Sequence, residues 1–168
     1  MKLSEYMAAL TAAEATGEYV GRDMVFAMDC SEDGKAASIG DYAIAGPHVE
    51  DMGATLNPTS EDKSYIAEGD STIKTSTKRS FTVTGQRLIG DEFQDFVCSF
   101  AIKYGKGSVV QRPYVYFHAG TKKGERGVVT ILVKKDGAGA ASATADIEVE
   151  LQSCAIPTEY TYSATPAA

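Results

Sequence analysis

Two carboxylates, Glu148 and Glu150, occupy alternate residues of the run "DIEVEL", so a strand would hold both on one face. Paired carboxylates carry the acid–base chemistry of glycoside hydrolysis, and a small hydrolase working through these two is one reading. Acids alternating with Ile147, Val149 and Leu151 also describe the water-facing side of an ordinary strand. The second reading is preferred, because nothing else in the chain completes a catalytic set. His48 follows Pro47 in a turn and His118 closes a strand-like run, and neither lies near a Gly-x-Ser-x-Gly elbow. "GRD", "GKG" and "KKGE" lack the Walker spacing that cradles phosphate. "TKKGER" (121–126) is basic without interleaved aromatics and reads as a hairpin tip. Cys30, Cys98 and Cys154 lie far apart with no Cys-x-x-Cys, which predicts reduced, mostly buried thiols rather than a zinc site. The chain has no Trp, so a carbohydrate-binding platform has little to build on. These residues predict no enzyme, no metal and no cofactor.

The elements that would position such residues belong to one domain spanning 1–168. The chain is 43% hydrophobic and 23% charged, the balance of an ordinary folded domain able to bury a core without staples. No run approaches the ~18 apolar residues of a membrane span. The opening "MKLSEYMAALTAAEATGEY" is interrupted by Ser4, Glu5, Thr11 and Glu14 where a signal peptide would be apolar. The chain is therefore expected to be made in a cytoplasm and to stay there, with residues 1–20 forming an arm or a short helix. Net charge is −7 and unevenly spread. Residues 1–70 carry 4 basic and 14 acidic side chains, whereas 103–135 carry 8 basic ones against the single acid Glu125. Residues 136–168 have no Lys or Arg. Complementary poles of this kind suit head-to-tail association of identical copies, and the acidic total argues against a basic nucleic-acid binder.

Strand signals dominate. "MVFAMDC" (24–30) and "AASIGDYAIAG" (36–46) flank the turn "SEDGK" and predict a hairpin. Residues 49–56 predict a further strand ended by Asn57 and Pro58, followed by a long polar loop over 57–75. From 73 to 87 the period is two, with Ile73, Thr75, Thr77, Arg79, Phe81 and Val83 on one side and mostly Ser, Thr and Lys on the other. Asp91 is a candidate N-cap, with Gln94 placed to return the bond. Phe93, Phe96, Val97, Phe100, Ala101 and Tyr104 form one apolar stripe at helical spacing, predicting a single core-facing helix of about 21 Å that stops at Gly105. Strands resume over 112–120, 126–135, 142–154 and 155–163, with a small-residue hairpin loop at 136–146. The fold class is mainly β: a β-sandwich or barrel flanked by one amphipathic α-helix.

Residues 55–97 resemble the tail tube, or major tail, proteins of long-tailed phages of Gram-positive bacteria. The resemblance rests on Tyr65 and Ile66 after a polar loop, on "SFTVTG" (80–85), and on Gly90 and Asp91 leading into a helix. It implies a structural virion protein, assembled in the host cytoplasm as hexameric rings that stack into a hollow tube. DNA would pass through the bore without tight binding, and the tape-measure, tail-terminator and tail-tip proteins would be partners. Sheets of neighbouring subunits would continue around the bore. The resemblance makes 57–75 a loop reaching the next ring, with Glu61, Asp62, Tyr65, Glu68 and Asp70 as its contact residues. Lys122, Lys123 and Arg126 become a basic surface for a neighbouring subunit. Asp146, Glu148 and Glu150 become bore-lining acids that repel phosphate. The inner tube of a contractile tail or of a tail-like bacteriocin is an alternative. A β-sandwich adhesion or carbohydrate-binding domain is another.

Overall fold

Alternation decides the sheet. In β7 (Asp146–Ser153) every second side chain is buried, with Ile147, Val149 and Leu151 inside and Glu148 and Glu150 toward solvent. The computed structural model describes residues 1–10 and 21–163. Helix α1 (Leu3–Ala9) precedes β1 (Met24–Met28) and the short β2 (Ala43–Ile44). Strands β3 (Val49–Tyr65) and β4 (Gly69–Gln86) lead to helices α2 (Glu92–Val97) and α3 (Phe100–Lys103). Then come β5 (Gln111–His118), β6 (Lys123–Ala138), β7 and β8 (Thr158–Thr161). All pairings are antiparallel, in the order β2-β1-β5-β6-β7-β4-β3, with β8 added beside the start of β6.

Three strands separate β1 from β4 in that order, yet the rings of Phe26 and Phe81 stand 4.9 Å apart. The sheet therefore rolls around one core, as expected for a barrel-like domain. Phe26, Phe81, Val83, Tyr114, Val129, Ile131, Ile147, Val149 and Leu151 fill it, and Phe93 and Val97 of α2 cover it. A second, smaller core lies on the other face of β1 and β5, where Val25, Ala27, Val115 and Phe117 meet Leu3 of α1 and Tyr162. Burial on both faces explains why β1 reads as the unbroken apolar run "MVFAM". The predicted arm or helix at 1–20 is a helix over Leu3–Ala9, and residues 11–20 lie outside the described residues.

Two expectations fail. The predicted loop at 57–75 is the outer half of a β-hairpin: β3 runs on through Asn57 and Pro58, and β3 and β4 pair from Val49↔Gly85 to Tyr65↔Gly69, with register shifts between Val49 and Asp51 and between Thr59 and Ser60. Pro58 is tolerated because β3 is the edge of the sheet, where a missing N–H costs no ladder bond. The predicted single helix is two. Asp91 caps α2 by accepting from Gln94 N at 3.1 Å, as expected. The buried Gln94 side chain does not return that bond: it accepts from Leu88 N and donates to the carbonyls of Pro47 and Gln86. The helix then breaks at Cys98 and Ser99, and beyond the break Phe100 and Tyr104 stand out at 76% and 69% exposure while Ile102 is buried. Phe93 and Val97 are core, Phe96 is half-buried beneath the Arg112 guanidinium, and the Phe100 and Tyr104 rings meet at a tilt of 47° at the surface.

Candidate assembly surfaces

β4 pairs with β7 only from Ser80 to Gln86. From Arg79 outward it pairs with β3 alone, so a two-stranded ribbon leaves the body and runs about 34 Å to its tip. Its residues are almost all exposed on both faces. An isolated two-stranded ribbon of this length is marginal in water, and this one also shows Leu56, Tyr65, Ile66 and Ile73 to solvent. Thr55 and Asn57 bond to the Ser80 hydroxyl, and Thr75 donates to the Thr59 carbonyl, so the polar side chains reinforce the ladder locally. Glu61, Asp62 and Tyr65 lie on the outgoing strand, Glu68 in the turn and Asp70 on the return. Glu61 pairs with Lys63 at 3.5 Å and Asp62 accepts from Thr72 at 2.8 Å. The whole free side of β3 is an open edge.

Lys122 holds the β5–β6 turn with a positive φ of 59°, and Lys123 and Arg126 open β6 beside β8. All three are exposed and make no ion pair among the described residues. The register has a consequence for the predicted acidic and basic poles. Ser80 lies opposite Gln152, and Gln152 opposite Thr130, so the ribbon tip and the Lys122 turn both extend past the same end of the sheet. A translation along the strands cannot bring one onto the other. Of the rest of the basic stretch, Lys103, Lys134 and Lys135 lie toward the far end and are ion-paired, with Lys103 Nζ 2.6 Å from Asp136.

The solvent face of β4, β7 and β6 carries Thr82, Thr84, Glu148, Glu150 and Gln152, with no element among the described residues over it. Asp146, Glu148 and Glu150 share this face, as the alternation predicts, but it is not simply acidic. A β-bulge between Val133 and Lys135 puts two consecutive lysines on one side of the strand. Lys134 then meets Glu150 at 3.3 Å and Lys135 meets Glu148 at 2.9 Å. Lys78 adds a bond to Gln152, whose amide donates to Glu150 at 2.6 Å. That amide and Lys134 hold the Glu150 carboxyl below its ordinary range, and Glu148 raises Lys135. Both carboxylates are thus ion-paired acceptors.

Sequence reasoning missed the group at the ribbon root. Arg79 Nε donates to Glu125 Oε1 at 2.8 Å, and the same oxygen accepts from the Tyr114 hydroxyl at 3.1 Å. The Arg79 guanidinium also stands 4.8 Å from the Phe81 ring centre and 4.9 Å from that of Tyr116. The only advance signal was a lone Arg on the apolar side of a period-two pattern. Cys30 and Cys98 are half-buried and their thiols pushed up chiefly by burial, while Cys154 is exposed beside Thr130, against the expectation of mostly buried thiols. Among the described residues, no His, Cys, Asp and Glu cluster is placed to hold a metal ion, and no helix is long and apolar enough to cross a membrane.

No protein-family model matches the sequence, and no curated protein matches it. Solved structures do share the fold. One is a chain of the tail of an empty gene transfer agent particle, refined helically with C6 symmetry: TM-score 0.61, 15% identity, covering 86% of this chain and all of that one. Another belongs to the virion of a native gene transfer agent particle, with TM-score 0.56 and 12% identity over the same shares.

Proposed function

We propose that this chain is a structural subunit of a phage-like tail, closing into six-membered rings that stack into a hollow tube for DNA. The observation that carries the reading is the ribbon. It is a long hairpin exposed on both faces, with an open edge and apolar side chains that nothing among the described residues covers. Such an edge invites pairing with another chain, and closure by identical copies removes it. The likeness to a chain from a C6-symmetric tail supports six copies and the same use of the fold. On this reading the role is architectural, and Glu148 and Glu150 do no catalysis.

The uncovered face of β4, β7 and β6 is the proposed bore lining. Threonines and lysine–glutamate pairs give it little net pull on phosphate, which suits a conduit whose cargo must slide. Pairing Glu148 and Glu150 with lysines lowers repulsion relative to a purely acidic wall, but leaves no basic track to grip DNA.

Negative-stain micrographs of the purified protein, alone and with a tail-tip nucleus, test the proposal. Rings and tubes of uniform bore are expected. A monodisperse monomer at high concentration under both conditions would refute it. Replacing Glu148→Lys with Glu150→Lys then tests the lining: tubes should still form, and DNA delivery by the particle should fall. Failure of assembly in that variant would place the two residues at an interface instead.

A further inference from the structure

The ribbon leaves the sheet where β7 ends, and a flexible root would let it point in many directions. We infer that Arg79 and Glu125 form a clamp that fixes the direction of the ribbon, and that this fixed direction is what permits ring closure. The second half of the inference rests on the tail-subunit reading; the first does not.

Four strands meet at Arg79. Its backbone N–H donates to Ser153 Oγ of β7 at 3.1 Å, one residue beyond the last β4–β7 ladder pair. Its side chain crosses the mouth of the core to Glu125 of β6 and lies over Phe81 of β4 and Tyr116 of β5. Tyr114 of β5 holds the same carboxylate oxygen. Arg79 is 11% and Glu125 25% exposed, so water screens the pair weakly. Backbone pairing alone would let the two-stranded ribbon twist and swing about the Ser80 level. A planar, charged group held by a carboxylate and two rings removes that freedom, because guanidinium contacts are directional. Residues on the far side of the core thus act on the ribbon without touching its outer length. Arg79 and Glu125 are positioning residues in this sense.

The test reads direction and assembly separately. Spin labels on cysteines at Glu68→Cys in the tip and Ser142→Cys in the body report their separation, with Cys30, Cys98 and Cys154 replaced by alanine. In dilute full-length protein a single narrow distance distribution is expected. Arg79→Met keeps bulk over the rings but loses the pair, and should broaden the distribution while far-ultraviolet dichroism is unchanged. Should the stranded Glu125 prevent folding, the double variant Arg79→Met with Glu125→Gln removes the leftover charge and is predicted to fold and to broaden likewise. Both variants should raise the concentration needed for ring formation at least about tenfold, the effect of losing one charge-assisted hydrogen bond. An unchanged distance distribution in the folded variants would overturn the clamp. Broadening with normal assembly would overturn its link to ring closure. Wild-type protein that never assembles would sink the tail-subunit reading and leave the clamp standing on the distances.

Discussion

The two halves of the β3–β4 hairpin are one antiparallel pairing, shifted at two bulges, in two different surroundings. In the inner half, Phe81, Val83 and Gly85 face the core and β7 flanks β4. In the outer half, from Leu56 to Lys74, both faces and the free edge meet solvent. The difference lies in side-chain burial and in the flanking strand. The inner half is stabilised by the fold of the monomer. The outer half draws on local hydroxyl bonds, on the root clamp and, on the proposed reading, on neighbouring copies.

The sharpest way to break the inner half is Phe81→Ala. Phe81 is fully buried and touches the rings of Phe26, Tyr114 and Tyr116 at 4.9 to 5.2 Å. Its loss should cost about 3–5 kcal/mol of monomer stability in a denaturant titration. A cost below that of a surface change would mean that β4 is not core. A smaller inner effect is expected from Gly85→Ala. A Cβ there falls against the carbonyl oxygen of His48 and the Cα of Val49, where β3 bulges toward β4. The backbone must shift, at about 1–3 kcal/mol, read in the same titration.

The outer half should respond in the opposite way. Ile66→Asp and Ile73→Asp touch exposed side chains, so monomer stability should stay within about 0.5 kcal/mol of wild type. Ring or tube formation in micrographs should nevertheless be lost. Normal assembly in both variants would remove the ribbon's apolar residues from any interface.

This contrast also explains what could be read in advance. The sheet face of β7 was legible, because Ile147, Val149 and Leu151 alternate with acids and burial follows alternation. The inner half of β4 was legible for the same reason. The outgoing strand of the ribbon and its turn were not: with both faces wet this stretch has no apolar period, and Asn57 with Pro58 reads as a stop. What makes 57–75 a hairpin is its register with itself, a pairwise property that composition does not carry. The stripe from Phe93 to Tyr104 misled for a related reason. Helical spacing persisted through Cys98 and Ser99 while the backbone broke there, so Phe100 and Tyr104 kept the period and lost the core. The bulge at Lys134 left no trace in the sequence, and with it went the pairing that neutralises Glu148 and Glu150. Among the candidate residues, position was legible for Asp146, Glu148 and Glu150, but electrostatic surroundings were not.

The smallest expected effect separates body from ribbon by acid. The carboxylates held below their ordinary range, Asp41, Asp95, Asp136 and Glu150, all belong to the body. For Asp136 the cause is the hydrogen bond from Lys103 Nζ, reinforced by its charge; for Asp95 it is the bond from Arg87. A lowered folded pKa means that the unfolded chain takes up the proton first as pH falls. The stabilisation is therefore complete above the ordinary carboxylate range near about 4 and is lost progressively as pH drops through the folded values. Denaturation midpoints taken from pH 7 to pH 3 should fall along this limb. Asp136→Asn should make it shallower by one proton's share, while changing little at pH 7 because the pair is at the surface. Lys103→Met should flatten the limb to the same degree, and the double variant no further, since one bond is the common cause. A limb as steep in Asp136→Asn as in wild type would show that this pair contributes nothing, leaving Arg87 with Asp95 as the next carboxylate to test.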